Sequence, residues 1–239
     1  MIGEILFQRA ESLQNALQLL AEPGPEATLL AGGTDLMVWI QSGRYQPARV
    51  IDIWNLRPEC ADIFETADQI TIGALASYNE IIASPVVETH LPLLSEACKE
   101  IGATQIQARG TMGGNLGGSS PAGDTLPVLL AYNASVIPQS TRGSREVAYA
   151  KFCTGYRDTV RASDELITQI CIPKPRANAT QRWYKAGTRL AQAISKVMLA
   201  GVCSLDEAGN ITHCRLGIGS VAAVPLLLEQ TADAIISLP

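Results

Sequence analysis

Two glycine-rich stretches hold the residue types best suited to chemistry: Leu29-Leu30-Ala31-Gly32-Gly33-Thr34-Asp35-Leu36 and Thr111-Met112-Gly113-Gly114-Asn115. Glycine has no Cβ, so backbone N–H groups in such a stretch can turn toward an anion and approach it closely. A helix starting directly after the loop adds the positive end of its dipole. Two loops of this kind can clasp a pyrophosphate from opposite sides. Taken singly, each loop is equally compatible with a tight turn, because glycine is the commonest turn residue. A third motif, Gly217-Ile218-Gly219-Ser220-Val221-Ala222, fits the dinucleotide fingerprint G-x-G-x-x-A after a predicted strand. Pro225 follows soon after, and no acidic residue can stand about 20 residues on at the end of a second strand, so the motif reads as a decoy.

Other chemistry is sparse. His90 and His213 are far apart and lack metal-ligand spacing. Ser195-Lys196 has no nucleophile elbow or partner base. The cysteines (Cys60, Cys98, Cys153, Cys171, Cys203, Cys214) form no C-x-x-C pair, read as buried structural thiols, and disfavour an iron–sulfur cluster on this chain. Chemistry here would come from a bound cofactor. The 239 residues carry a net charge of −5. There is no basic stripe for nucleic acid; Arg142, Arg145, Lys151, Arg157 and Arg161 read as scattered, solvated surface charges. The N-terminus Met1-Ile2-Gly3-Glu4 lacks a signal's basic region. The apolar runs at 28–40 and 126–138 are too short for a membrane span, so a cytoplasmic protein is expected.

The elements that must position the glycines follow from periodicity. Leu13, Ala16, Leu17, Leu20 and Ala21 recur at helical spacing after a Ser12 cap, and Pro23-Gly24-Pro25 stops the helix. Strands are predicted at 27–31 and 49–53, with a helix over 36–40. A strand at 69–73 precedes Ser77-Tyr78-Asn79-Glu80, which has capping-box spacing. Helical spacing continues over 93–101. Five glycines fall in 110–118, and Asp124 is placed to cap a helix over 126–131. Strands at 135–137, 146–148, 165–172 and 182–185, then a hairpin of 196–205 and 211–218, complete a mixture without strict βαβ alternation, hence α+β.

The stretches LLAGGTDL (29–36) and RGTMGGNLGGSSPAGDTLPVLLA (109–131) resemble the two FAD-pyrophosphate motifs of molybdenum-hydroxylase flavin subunits, the xanthine and carbon monoxide dehydrogenase family. FCTGYRDTVRASDELITQICIP (152–173) and RWYKAGTRLAQAISKVMLAG (182–201) resemble its later segments, in family order and covering nearly the whole chain. The resemblance implies an FAD-binding PCMH domain of the vanillyl-alcohol-oxidase type at 1–175, made of two α+β subdomains (about 1–56 and 57–175). A smaller α+β C-terminal domain at 176–239 would follow. By the same resemblance, Leu29, Leu30, Ala31, Gly32, Gly33, Thr34, Asp35 and Leu36, with Thr111, Met112, Gly113, Gly114 and Asn115, would cradle the pyrophosphate. Asp124 would bind ribityl or ribose hydroxyls, Ile101 would lie near the adenine and Ile167 against the isoalloxazine ring. Lys185 would stabilise the anionic reduced ring.

The implied function is a flavin relay with non-covalent FAD. A large subunit would carry the molybdenum cofactor and a small subunit the [2Fe-2S] clusters, in a dimer of heterotrimers. The acceptor would be NAD⁺, a quinone or oxygen. Three rivals stand beside it: a stand-alone flavin oxidase, a flavin-free scaffold and, weakest, an NAD-binding Rossmann enzyme built on 217–222. Three departures from the family are visible. Ala10 stands where proline is frequent, and no cysteine-bearing cluster loop is inserted. Family members also run several tens of residues longer, so the C-terminal domain reads as shortened, its helical region opening at 226–239. Neither histidine lies in an attachment motif, so on a denaturing gel flavin fluorescence should leave the polypeptide; a fluorescent protein band would refute the non-covalent expectation.

Overall fold

The computed structural model describes residues 5–189 and 191–236; the Met1–Glu4 start and the last residues of the 226–239 segment lie outside these. The chain opens with a small parallel sheet. Its central strand Arg49–Asp52 lies between Leu6–Arg9 and Ala27–Leu30 and is parallel to both. Parallel neighbours need crossovers, and the helices Leu13–Ala21 and Leu36–Gln41 are on hand to make them. Ser12 caps the first as expected, its hydroxyl accepting the Asn15 N–H at 3.1 Å. Leu6–Arg9 was not anticipated, because its four residues are too short to show a period. Arg49 is 3 % exposed, and its guanidinium donates to Gln8, to the Leu19 carbonyl and to Glu22, joining helix and strands.

A second, antiparallel sheet runs Ile63–Glu65, Gln69–Gly73, Leu166–Pro173, Ser135–Ser140, Gly143–Ser144. The predicted capping box is present, Ser77 and Glu80 exchanging backbone and side-chain bonds at the head of the helix Tyr78–Ala83. The third sheet is antiparallel too: Thr180–Gly187, Ser195–Leu205, Ile211–Gly219, Leu226–Leu227, with the helix Glu229–Ile236 against it. The predicted hairpin is tied by Asp206, whose carboxylate accepts from the Ala208 and Asn210 N–H groups. The architecture is α+β, and the chain changes sheet between Asp52 and Ile63 and again between Pro173 and Thr180. Among the described residues no helix is long and apolar enough to cross a membrane.

The short helix Leu126–Ala131 holds the second and third sheets together. Every one of its residues is buried, as an all-apolar helix requires. The expectation that Asp124 caps it is corrected: Thr125 occupies the cap position, and no side-chain bond closes it. The Asp124 carboxylate instead reaches across to the third sheet, accepting from Lys185 Nζ at 3.0 Å and from Ser195 Oγ at 2.8 Å. The decoy motif belongs to the same contact. Gly217 lies in a strand, where a Cβ would come within 2.1 Å of the Pro127 carbonyl oxygen. Gly217 lets helix and sheet backbones touch, and Ser220 turns the chain at φ +66° toward the strand Leu226–Leu227 rather than into a helix.

All six cysteines are free, with Cys60, Cys98, Cys171 and Cys214 buried as expected; burial pushes the Cys60 thiol up to about 11. Cys203 and Cys214 face each other across the hairpin, a proximity that irregular sequence spacing does not reveal.

Two expectations follow. Gly217→Ala should cost about 3 kcal/mol by overpacking, read as a lower urea midpoint; an unchanged midpoint would mean that the helix can retreat. Lys185→Met should cost about 3 kcal/mol by leaving a buried carboxylate unpaired, and adding Asp124→Leu should recover most of it. A double variant as unstable as the single would show that the pair is not the source of the loss.

Candidate functional site

Between the first and second sheets lies a cavity of about 490 Å³, within the range of about 300–1,000 Å³ typical of cofactor sites. Its middle is walled by Gly32, Gly33, Thr34 and Asp35 on one side and by Gly113, Gly114, Asn115, Gly117 and Gly118 on the other. Toward the start of the strand Ala27–Leu30 the wall is Thr28, Leu29, Tyr45, Arg161, Leu166 and Ile167. In the other direction it is Tyr78, Ile101 and Ile106, grouped about Gly110. The site is a slot, glycine-lined at the centre, with Tyr78, Ile101 and Ile106 in one arm and both apolar side chains and the Arg161 cation in the other.

Two backbone contacts fix that centre. At Gly32 a Cβ would lie 1.7 Å from the Arg109 carbonyl oxygen, and at Gly113 it would lie 2.7 Å from the Ala74 Cβ. Cation–π stacks brace both flanks. Arg109 lies 3.7 Å over Trp54, while Arg157 lies 4.6 Å over Trp39 and donates to the Gly118 carbonyl.

The second glycine stretch is not a loop. Thr111 caps a helix over Met112–Gly118, its hydroxyl accepting the Gly114 N–H. The Met112 and Gly113 N–H groups donate to the Ala76 and Ala74 carbonyls. The picture of two loops both turning free donors on an anion is therefore corrected. The Met112, Gly113, Gly114 and Asn115 amides are spent inside the protein, whereas among the described residues no acceptor is found for those of Gly32, Gly33, Thr34 and Thr111. What the helix offers is closeness. Four of its seven residues are glycine, at a cost of roughly 1 kcal/mol each against alanine. Packing explains Gly113, but a Cβ on Gly117 would meet nothing within 4 Å, and one on Gly118 only Asp35 Oδ2 at 3.9 Å. That bare face is turned to the slot.

Of the residues singled out in sequence, the slot gathers Leu29, Ala31, Gly32, Gly33, Thr34, Asp35, Leu36, Ile101, Thr111, Gly113, Gly114, Asn115 and Ile167. Leu30 and Met112 support it from behind. The Leu30 carbonyl accepts from Ile53, and Met112 is fully buried in the core. Asp124 and Lys185 do not line the slot; they are bonded to each other. Burial raises the Asp124 pKa, against the lowering effects of Lys185 and Ser195. Thr125 beside it donates to Asn115 Oδ1 at 2.6 Å, so the pair stands one step behind the wall.

Sequence reasoning missed Trp39, Tyr45, Tyr78, Gly117, Gly118 and Arg161. The glycine repeat at 117–118 was the available signal; nothing local marks Arg161. Its reading as a solvated surface charge is corrected, since it is half-buried in the wall. Arg142 and Arg145 are exposed as expected, paired with Asp164 and Glu165.

A central glycine-lined passage with open amides, flanked by one apolar arm and one that mixes apolar side chains with a cation, fits a dinucleotide with its pyrophosphate in the middle. Comparison with known proteins agrees. The family model described as FAD binding domain in molybdopterin dehydrogenase matches residues 3–175. The chain is 32% identical to the nicotinate dehydrogenase FAD-subunit of Eubacterium barkeri, over 88% of this chain and 72% of that one. It is 36% identical to the glyceraldehyde dehydrogenase medium chain of Sulfolobus acidocaldarius, over 98% and 81%. A solved carbon monoxide dehydrogenase from Hydrogenophaga pseudoflava superposes with a TM-score of 0.94 at 29% identity, over 100% of this chain and 82% of that one. The chain thus belongs to the FAD-binding-domain family of molybdopterin dehydrogenases, as the flavin-carrying medium subunit of a molybdenum-hydroxylase-type oxidoreductase.

Proposed function

We propose that this chain is the exit point for electrons in its complex. FAD, held by the glycine passage, would supply the redox chemistry by which electrons from iron–sulfur clusters on a small subunit reach NAD⁺, a quinone or oxygen. Substrate oxidation belongs to the large, molybdenum-bearing subunit, and a dimer of heterotrimers is the assembly we favour. The work of this chain is to hold and orient. The Gly32, Gly33 and Thr34 amides are free to donate to the pyrophosphate, with Leu29, Ala31, Asp35, Leu36, Thr111, Gly113, Gly114 and Asn115 completing the passage. Ile167 packs on the ring arm and Ile101 on the adenine arm. Leu30 and Met112 act by fixing the backbone. Asp124 and Lys185 serve by locking the third sheet behind Asn115. Among the described residues that line the slot there is no histidine or cysteine, which supports non-covalent binding.

The observation that carries this reading is the bare helix face at Gly117, a glycine that nothing in the protein requires. An absorption spectrum of the purified chain should show flavin bands, with FAD released on denaturation. Gly117→Leu should leave the apoprotein at least as stable as the parent, since glycine is the poorer helix former, yet weaken FAD binding at least tenfold. Gly113→Ala should instead destabilise the apoprotein, because its Cβ meets Ala74. Unchanged FAD affinity in Gly117→Leu would sink the assignment of that face.

A further inference from the structure

Arg161 is the one cation among the described residues that line the slot; the acids there are Glu26 and Asp35. It stands in the arm that also contains Leu166 and Ile167. Its guanidinium is anchored on one side only. Nη1 donates to the carbonyls of Ala162 at 2.9 Å and Glu165 at 2.6 Å, while no acceptor among the described residues is found for Nε or Nη2. Nor does a carboxylate neutralise it at ion-pair distance. Asp164 and Glu165 are bonded to Arg142 and Arg145, and together with Glu26 they act on Arg161 only from beyond ion-pair distance. Burial works against its charge, lowering its pKa from the ordinary arginine value. A half-buried guanidinium fixed by two carbonyls, with donors to spare and no carboxylate at ion-pair distance, is costly unless something in the slot uses it.

We infer that Arg161 is a cofactor-tuning residue, its spare N–H groups facing the ring end of the bound flavin and favouring the extra negative charge of the reduced state. The inference rests on the flavin reading above. Positive charge beside the pyrimidine side of a flavin is a general means of shifting its redox balance. Of the other nearby cations, Arg109 and Arg157 are stacked on Trp54 and Trp39 outside the lining, and Lys185 is paired with Asp124 outside the wall, so none of them supplies that charge within the slot.

The test compares the affinity of the purified chain for oxidised and for anaerobically reduced FAD, in the parent, Arg161→Leu and Arg161→Lys. Arg161→Leu should lose at least tenfold more affinity for the reduced form than for the oxidised form. For a two-electron couple this is a fall in midpoint potential of about 30 mV per tenfold. Arg161→Lys should restore part of the preference. Equal losses of both forms, or no loss, would overturn the inference while leaving the flavin site intact. If Arg161→Leu takes up neither form, the same ratio measured on Arg161→Lys and Arg161→Gln decides, the charge-keeping variant being expected to hold the preference and the neutral one to lose it. A parent chain that binds no FAD would overturn the flavin reading and this inference with it.

Discussion

The contact between the Gly32 backbone and the Arg109 carbonyl fixes the geometry from which the rest of the site is built. A Cβ there would stand 1.7 Å from that oxygen, a distance no relaxation of a side chain can absorb. The contact brings the end of the first sheet's edge strand against the chain that enters the glycine-rich helix. It thereby sets the width of the slot and aligns the open amides of Gly32–Thr34 opposite the helix face. Arg109 secures the contact a second way, stacking on Trp54 and donating to the Gly32 carbonyl at 3.4 Å. Gly113 against Ala74 plays the same part deeper in the second sheet.

The parts visible in sequence are those governed by neighbours a few residues away. Ser12, and Ser77 with Glu80, cap helices through bonds spanning three residues, and such short-range chemistry is written in order along the chain. The alternating and apolar strands of the second and third sheets were legible for the same reason. The helix at Met112–Gly118 was not, because four glycines argue against a helix on propensity. It forms because the Ala74 and Ala76 carbonyls and the Thr111 hydroxyl accept its first N–H groups, and two of those partners lie nearly forty residues upstream. Tertiary context overrides local preference there.

Asp124 shows the opposite failure. Its position just before a helix made a cap plausible, yet its partners are Lys185 and Ser195 in another sheet. A carboxylate offered two strong donors in a buried setting satisfies both oxygens there and leaves the local cap unmade. Arg161 was lost in a run of basic residues whose other members are exposed. Only its place in the wall of the slot, with Leu166 and Ile167, separates it from them. Both cases concern charge, and the surroundings that decide what a charge does are seldom adjacent in sequence.

The burial of the helix Leu126–Ala131 on all sides bears on the order in which the molecule can be made. The match to the family model ends at residue 175, but the hydrophobic cluster that includes Leu126, Val128 and Leu129 also contains Ala200 and Val202 from the third sheet. During synthesis the segment matched by the family model will have left the ribosome while one side of that helix still has no partner. Its core can close only after the strand ending at Leu205 has emerged. The recurring evolutionary unit and the cooperative folding unit therefore have different ends, and a chain released at the first boundary would expose an apolar helix.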